Sequence, residues 1–394
     1  MSDTADLTSL DAGLQPSADV RRARWLLTGY FAAQGVVMAT WATRLPAVKE
    51  AADLSPGALS LGLLAAALGM VSTLLISGRI AEHHRGTPRL LVGSACVLGM
   101  ALIALGQCRS LVSLIAAAGL FGAAQGLLLV PMNASGVACQ TGYGRPIMST
   151  LHGSYSVGAF SGAGISTATA GHLSHSLAFS AVGATVVVAA LLAAPITLKL
   201  PDPQPAPDAP EAPTVRGKVW LLGAMIAAGL IAEGTALDWS AVHVRSLGAG
   251  ATTAAGAYWL YGAGMATGRL MGDVLTVRFG STKLLRTGAT VAAVGLGVGL
   301  AATSTPAAAP IALIGWALLG LGVSPIVPLL YSAAGSYGPR AVASVGTIGN
   351  VGLLGGPVAI GAIASTTTLP LALTVPVLLA AAIAVGARVV TTTR

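Results

Sequence analysis

Twelve apolar stretches, each roughly twenty residues or longer, leave this chain few ways to fold. They lie at about 25–47, 57–80, 89–107, 111–137, 148–170, 177–198, 218–241, 254–275, 284–303, 307–333, 342–364 and 369–390. A bilayer core about 30 Å thick takes about 20 residues of helix to cross. Inside it, every backbone N–H and C=O must be bonded within the protein, which only helices and closed barrels achieve. Runs this long and continuously apolar predict helices. Only 9% of residues are charged, against about 25% in a soluble domain.

The charges that remain report orientation. Residues 1–20 are polar and acidic, with Asp3, Asp6, Asp11 and Asp19, and have no signal-peptide pattern. Arg21, Arg22 and Arg24 then precede the first apolar run, which places the N-terminus in the cytoplasm. With twelve crossings, both termini lie inside, and only Arg44, Lys49, Arg109 and Arg245 of the 21 Lys and Arg residues fall outside. The net charge of +8 therefore reflects topology, since its members are scattered singly between apolar runs. A nucleic-acid surface is not expected.

Prolines mark the division of the chain. Pro201, Pro203, Pro205, Pro207, Pro210 and Pro213 stand in residues 199–217 and predict an extended cytoplasmic linker. The expected organisation is a disordered tail at 1–20, a six-helix half at 21–198, the linker, and a second six-helix half at 218–394. A shift of 194 residues lays the second half on the first. Gly78 and Gly86 then meet Gly272 and Gly280, and Arg89, Leu90 and Leu91 meet Lys283, Leu284 and Leu285. Gly144, Thr150, Val157, Gly158 and Gly162 meet Gly338, Ser344, Val351, Gly352 and Gly356. The fold class expected is an all-α membrane protein of twelve transmembrane helices in two pseudo-symmetric six-helix halves.

Several motifs carry a resemblance. After the second stretch the chain reads Gly78-Arg79-Ile80-Ala81-Glu82-His83-His84-Arg85-Gly86, and after the eighth Gly268-Arg269-Leu270-Met271-Gly272-Asp273 followed by Arg278-Phe279-Gly280. With the repeat and the long linker, this resembles the major facilitator superfamily from about Arg24 to Arg388. Trp41-Ala42-Thr43-Arg44-Leu45-Pro46, Leu151-His152-Gly153-Ser154-Tyr155-Ser156-Val157-Gly158 and Ala232-Glu233-Gly234-Thr235-Ala236-Leu237-Asp238-Trp239 are similar to a bacterial branch related to fucose:proton symporters. The resemblance implies a secondary transporter of a small polar solute in the bacterial inner membrane, working by alternating access, with protons as coupling ion. Uptake is favoured over export of a metabolite or drug by antiport, because the Gly-Pro motif usual in the fifth span of drug antiporters is absent: Gly162 is followed by Ala163. A non-transporting receptor is the remote alternative.

Candidate site residues follow from depth. A charge in hydrocarbon costs at least ~2.5–3.5 kcal/mol on insertion scales and is seldom kept without a use. Glu233 lies fifteen residues past Lys218, hence about 22 Å into the seventh helix, and is the candidate proton-coupling acid. His152, inside the fifth helix, either relays protons or bonds a neighbouring helix. Gln34, Gln125, Tyr155 and Asn350 project from near the middles of the first, fourth, fifth and eleventh helices, either as substrate ligands or as interhelical glue. Tyr258, in the eighth, could stack on a substrate ring or belong to an aromatic belt. Asp238 is turned about 140° from Glu233. Its repeat counterpart is Arg44, so the two could close a periplasmic gate, or each could simply meet headgroups and water. Glu82, Arg85, Arg269, Asp273 and Arg278 are assigned to cytoplasmic helix ends, as a cytoplasmic gate or as topology anchors.

No enzyme is expected, since there is no nucleophile motif, metal-ligand cluster or phosphate loop. Cys96, Cys108 and Cys139 have no metal spacing. Beyond the solute, protons and the bilayer, no cofactor or partner is expected, and the chain is expected to act as a monomer.

Overall fold

The computed structural model describes residues 16–204, 212–302 and 305–390. Residues 1–15 of the expected tail (1–20) and the middle of the linker (205–211) lie outside the described residues. The rest is helical. The spans, in order, are Ala18–Ala51, Pro56–Ala81, Gly86–Gly106, Leu111–Tyr143, Met148–Ala168, His175–Thr197, Ala212–Ser246, Ala251–Phe279 and Ser281–Ala301, then three that need comment. The tenth is Ala308–Val323 plus Ile326–Gly335, the eleventh Pro339–Thr366, and the twelfth Leu369–Ala372 plus Thr374–Gly386.

Three boundaries differ from expectation. The first helix starts at Ala18, because the Ser17 hydroxyl caps it by accepting from the Val20 N–H at 3.3 Å. The seventh starts at Ala212, inside the stretch expected to be extended linker. Pro213 allows this because it falls in the first turn, where its missing N–H is not needed. The tenth is interrupted at Ser324 and Pro325. A proline ring clashes with the carbonyl four residues back and cannot bond it, and here the Ser324 hydroxyl donates to that Leu321 carbonyl at 2.7 Å.

Among the described residues, nine spans are long and apolar enough to cross a membrane by length and composition alone. The first, fifth and eighth are not among them. Their sequences carry Gln34 and Arg44, His152 and Ser156, and Arg269 and Asp273, and these residues are buried. Spans that sacrifice hydropathy for buried polar groups are the ones that face the interior of a bundle.

Small residues set the packing. A Cβ on Gly35 would come within 2.1 Å of the Tyr155 carbonyl oxygen, and one on Gly158 within 2.1 Å of the Ala32 carbonyl oxygen, so spans 1 and 5 meet backbone to backbone. The halves meet through spans 2 and 11 and through spans 5 and 8. A Cβ on Gly78 would lie 2.5 Å from Ala343, and one on Gly272 would lie 2.5 Å from the Ser149 hydroxyl. Those two contacts map onto each other under the 194-residue shift, which makes the repeat visible as packing. These two lie toward the face that carries the linker. Towards the other face, spans 1 and 7 scarcely touch.

Candidate functional site

Among the described residues, the interior of the bundle holds one ion pair. Arg269 Nη2 lies 3.4 Å from Glu233 Oε2, linking spans 8 and 7. The arginine side chain is only 6% exposed, whereas the glutamate is 31% exposed. A space large enough for water thus reaches the carboxylate but not its partner. Arg269 Nη1 donates to the Ser156 hydroxyl of span 5 at 3.1 Å, so the guanidinium bridges the two halves. Its Nε is buried with no hydrogen-bond partner among the described residues. Tyr155, Tyr258 and Tyr261 are all within electrostatic range of Glu233.

This corrects the expected place of Arg269. It belongs to the interior, not to a helix end, because span 8 runs on to Phe279 and leaves Arg269 ten residues, about 15 Å, inside the helix. Glu233 therefore has a charged partner in the neighbouring span, Arg269. Ser156 was not among the expected residues. The 194-residue shift pairs it with Asn350, and that correspondence was the signal available in the sequence.

The polar groups of the first half mostly satisfy one another. Gln34 Nε2 donates to Gln125 Oε1 at 2.8 Å, joining spans 1 and 4. Gln125 Nε2 in turn contacts Met38 Sδ. His152 Nε2 lies 3.1 Å from Asn133 Oδ1, and its ring stacks on Tyr331 and tilts against Phe31, with centroids 6.0 and 5.0 Å away. Asn350 Nδ2 bonds the Gly346 carbonyl of its own helix at 2.8 Å. Tyr258 is exposed and stacks on Tyr261. Tyr155 and Tyr258 thus stand near Glu233, whereas the two glutamines hydrogen-bond each other.

The structure does not bring Arg44 and Asp238 together. Arg44 is buried and fully engaged in its own half. Its Nε donates to the Ser166 hydroxyl at 3.1 Å, Nη1 to the Leu173 carbonyl at 2.9 Å and Nη2 to the Thr169 hydroxyl at 2.9 Å. Asp238 is exposed. The symmetry argument paired equivalent positions, but with spans 1 and 7 apart the guanidinium finds nearer acceptors at the end of span 5.

On the linker face the halves are clasped. Span 5 has no capping side chain of its own, since its N-cap position is Ile147. Its first amides are bonded from elsewhere. The Ile147 and Met148 N–H groups donate to Gln140 Oε1 at 3.0 and 3.3 Å. Those of Ser149 and Thr150 donate to Asp273 Oδ1 and Oδ2 at 2.9 and 2.8 Å. Asp273 belongs to span 8, so a carboxylate of one half caps a helix of the other, favoured by the helix dipole. Gln140 Nε2 also donates to the Ser332 hydroxyl of span 10 at 2.5 Å. A cavity of about 470 Å³ opens beside this clasp, between Gln140, Arg145, Asp273 and Ser332, away from the ion pair.

The symmetry-related junction uses a different bond. Glu82 Oε2 accepts from Arg340 Nε at 2.5 Å, tying span 2 to span 11. Arg85 makes no such bridge by its side chain; its N–H donates to Asp202 Oδ2 of the linker at 2.6 Å. Arg278 lies over the Phe279 ring, 5.4 Å from its centre. Gln140, Arg340 and Asp202 were not expected from sequence, because single polar residues at helix ends carry no pattern.

A membrane bundle of two repeated halves, clasped on one face, with an ion pair inside, matches known proteins on three counts. The major facilitator superfamily model matches residues 146–357. An uncharacterised MFS-type transporter of Yersinia pestis is 35% identical over 365 residues, covering 91% of this chain and 93% of that protein. Among solved structures, the Escherichia coli fucose:proton symporter FucP in its outward conformation superposes with a TM-score of 0.75 at 15% identity, covering 95% of this chain and all of that one. The human organic anion transporter MFSD10 gives 0.74 at 12% identity, covering 94% and 99%. At such identities the superpositions speak for the fold alone; the family model and the Yersinia relative go further. The chain is a multi-pass membrane transporter of the major facilitator superfamily.

Proposed function

We propose that this transporter takes up a small polar solute together with protons, and that Glu233 is the group that carries the proton. The observation behind this reading is the Glu233–Arg269 pair: a half-open carboxylate held against a closed guanidinium that also touches the opposite half. Protonating Glu233 removes the charge that holds Arg269 on its side. The guanidinium, with one nitrogen already unpartnered, is then free to rearrange its contact with Ser156. Proton uptake at one side chain thereby acts on the contact between the halves, which is what coupling to alternating access requires.

The linker face is assigned to the cytoplasm, on the basic-residue asymmetry, and the membrane to the bacterial plasma membrane. In that orientation the clasps close the cytoplasmic side, and the conformation opens outward, as does the FucP structure it resembles. Tyr155, Tyr258 and Glu233 are assigned to the solute. Gln34, Gln125 and Asn350 have hydrogen-bond partners already and are assigned to scaffold, as is His152, which is held by Asn133 and two rings. The likeness to a fucose:proton symporter supports a hydroxyl-rich solute. The two halves of one chain make a complete pathway, so a monomer suffices.

The test uses protein reconstituted in liposomes under an imposed pH gradient, with solute-dependent proton flux followed across a panel of sugars beginning with L-fucose. Glu233→Gln should abolish solute-driven proton movement while leaving solute exchange without net proton movement intact. Coupled flux that survives unchanged in the variant removes Glu233 from the mechanism.

A further inference from the structure

Where span 1 begins and span 4 ends, two arginines converge on one tyrosine. Arg24 Nη1 donates to the Tyr143 hydroxyl oxygen at 2.9 Å, and Arg145 Nη2 donates to the same oxygen at 3.5 Å. The two guanidinium carbons lie 4.9 and 5.1 Å from the ring centre. One neutral oxygen thus holds two cations close together without neutralising either. Among the described residues, neither arginine has a carboxylate within ion-pair reach; Asp19, the nearest acid along the chain, faces Arg22. The Tyr143 hydroxyl keeps its own proton to donate. Three donors of this kind, two of them planar guanidiniums, match the unesterified oxygens of a phosphate.

The surroundings indicate which phosphate. Trp25, next to Arg24, is 75% exposed, as suits an indole lying among lipid headgroups at a membrane surface. Arg145 is exposed, and Arg24 and Tyr143 are partly so. The cluster therefore lies on the linker face, partly open and next to an exposed indole. We propose that Arg24, Tyr143 and Arg145 form a binding site for the phosphate of an anionic phospholipid. The lipid would bind within the first half, on the loop that leads from Tyr143 into the clasped start of span 5. The proposal does not depend on what the transporter carries.

The test is native mass spectrometry of the full chain released from detergent with added phosphatidylglycerol or, separately, phosphatidylethanolamine. Wild type should retain phosphatidylglycerol at collision energies that strip phosphatidylethanolamine. Arg24→Gln with Arg145→Gln should lower the retained fraction at least tenfold, and Arg24→Lys with Arg145→Lys should recover most of it. Arg109→Gln, on the opposite face, should change nothing. Should the double glutamine variant fail to fold, Tyr143→Phe, which removes the oxygen that gathers the arginines, should still weaken retention at least threefold. Equal retention of the two lipids, or undiminished phosphatidylglycerol on a folded double glutamine variant or on Tyr143→Phe, would overturn the proposal. So would displacement of the lipid by millimolar inorganic phosphate, which would make this a free-phosphate site.

Discussion

The two halves share a backbone plan but not a chemistry. In the first, interior polar groups close on one another without an ion pair among the described residues: Gln34 with Gln125, His152 with Asn133. Its buried arginine, Arg44, spends three nitrogens on acceptors within its own half. In the second, Glu233 and Arg269 form an ion pair that is half open and reaches across to Ser156. Their counterparts under the repeat are Ala39 and Leu75. Duplication supplied a matched scaffold, while the charges were placed in one copy only. A neutral, satisfied pair holds helices; a charged pair with one open member can change state. The same contrast separates the two junctions between halves, where one copy uses a buried helix cap and the other a more exposed ion pair.

The largest effect expected concerns the interior pair. Arg269→Met removes a buried guanidinium bonded to both halves and leaves a partly open carboxylate unpaired; it should cost about 2 kcal/mol, read as a fall in the unfolding temperature of the purified protein. The double variant Glu233→Gln with Arg269→Met should recover most of that loss. If the single variant is as stable as wild type, the charged half is no different from the neutral one.

Next come the junctions. Asp273→Asn weakens two bonds to helix amides, each charge-assisted in the wild type, and should favour opening of the linker face by roughly 1–2 kcal/mol. Glu82→Gln breaks a pair whose arginine is 69% exposed and should yield no more than about 0.2–1 kcal/mol. Distances between spin labels on the linker-face ends of spans 2 and 11, and of spans 5 and 8, would compare the two. Larger opening in Glu82→Gln would reverse the assignment.

A steric comparison sharpens the same point. Gly272→Ala would push against Ser149, and Gly78→Ala against Ala343. Each should shift the labelled distances toward opening, and Ser149→Gly or Ala343→Gly should restore its partner. Failure of both rescues would mean that these contacts do not set the closure.

The smallest effect is expected in the first half. Replacing both glutamines, Gln34→Leu with Gln125→Leu, removes one neutral interhelical bond, worth about 0.6 kcal/mol on average in membrane bundles. Thermal stability should hardly move and proton-coupled flux should persist. Loss of coupled flux would place the glutamines in the pathway and erase the contrast between halves.

Much of this was legible from residue order, and its limits are local. Glu233 stood out because an acid inside an apolar run is costly wherever the run packs. Asp273 was recognisable from its motif, though not what it caps, since its acceptor role depends on amides 123 and 124 residues away. Arg269 was misplaced because the eighth helix extends past the end of its apolar run, and hydropathy does not report helix ends that carry basic residues. Arg44 and Asp238 were paired by a repeat that aligns backbones without setting how far apart the halves stand.

What the sequence alone determined was the solvent and the scaffold. Apolar runs of bilayer length force helices, since unbonded amides are intolerable in hydrocarbon, and a constant offset between runs forces two like halves. What only the tertiary structure decided was which polar groups meet. That depends on the rotation and depth of each helix and on how far apart the halves stand, and these are set by contacts between residues far apart in the chain, where hydropathy carries no information.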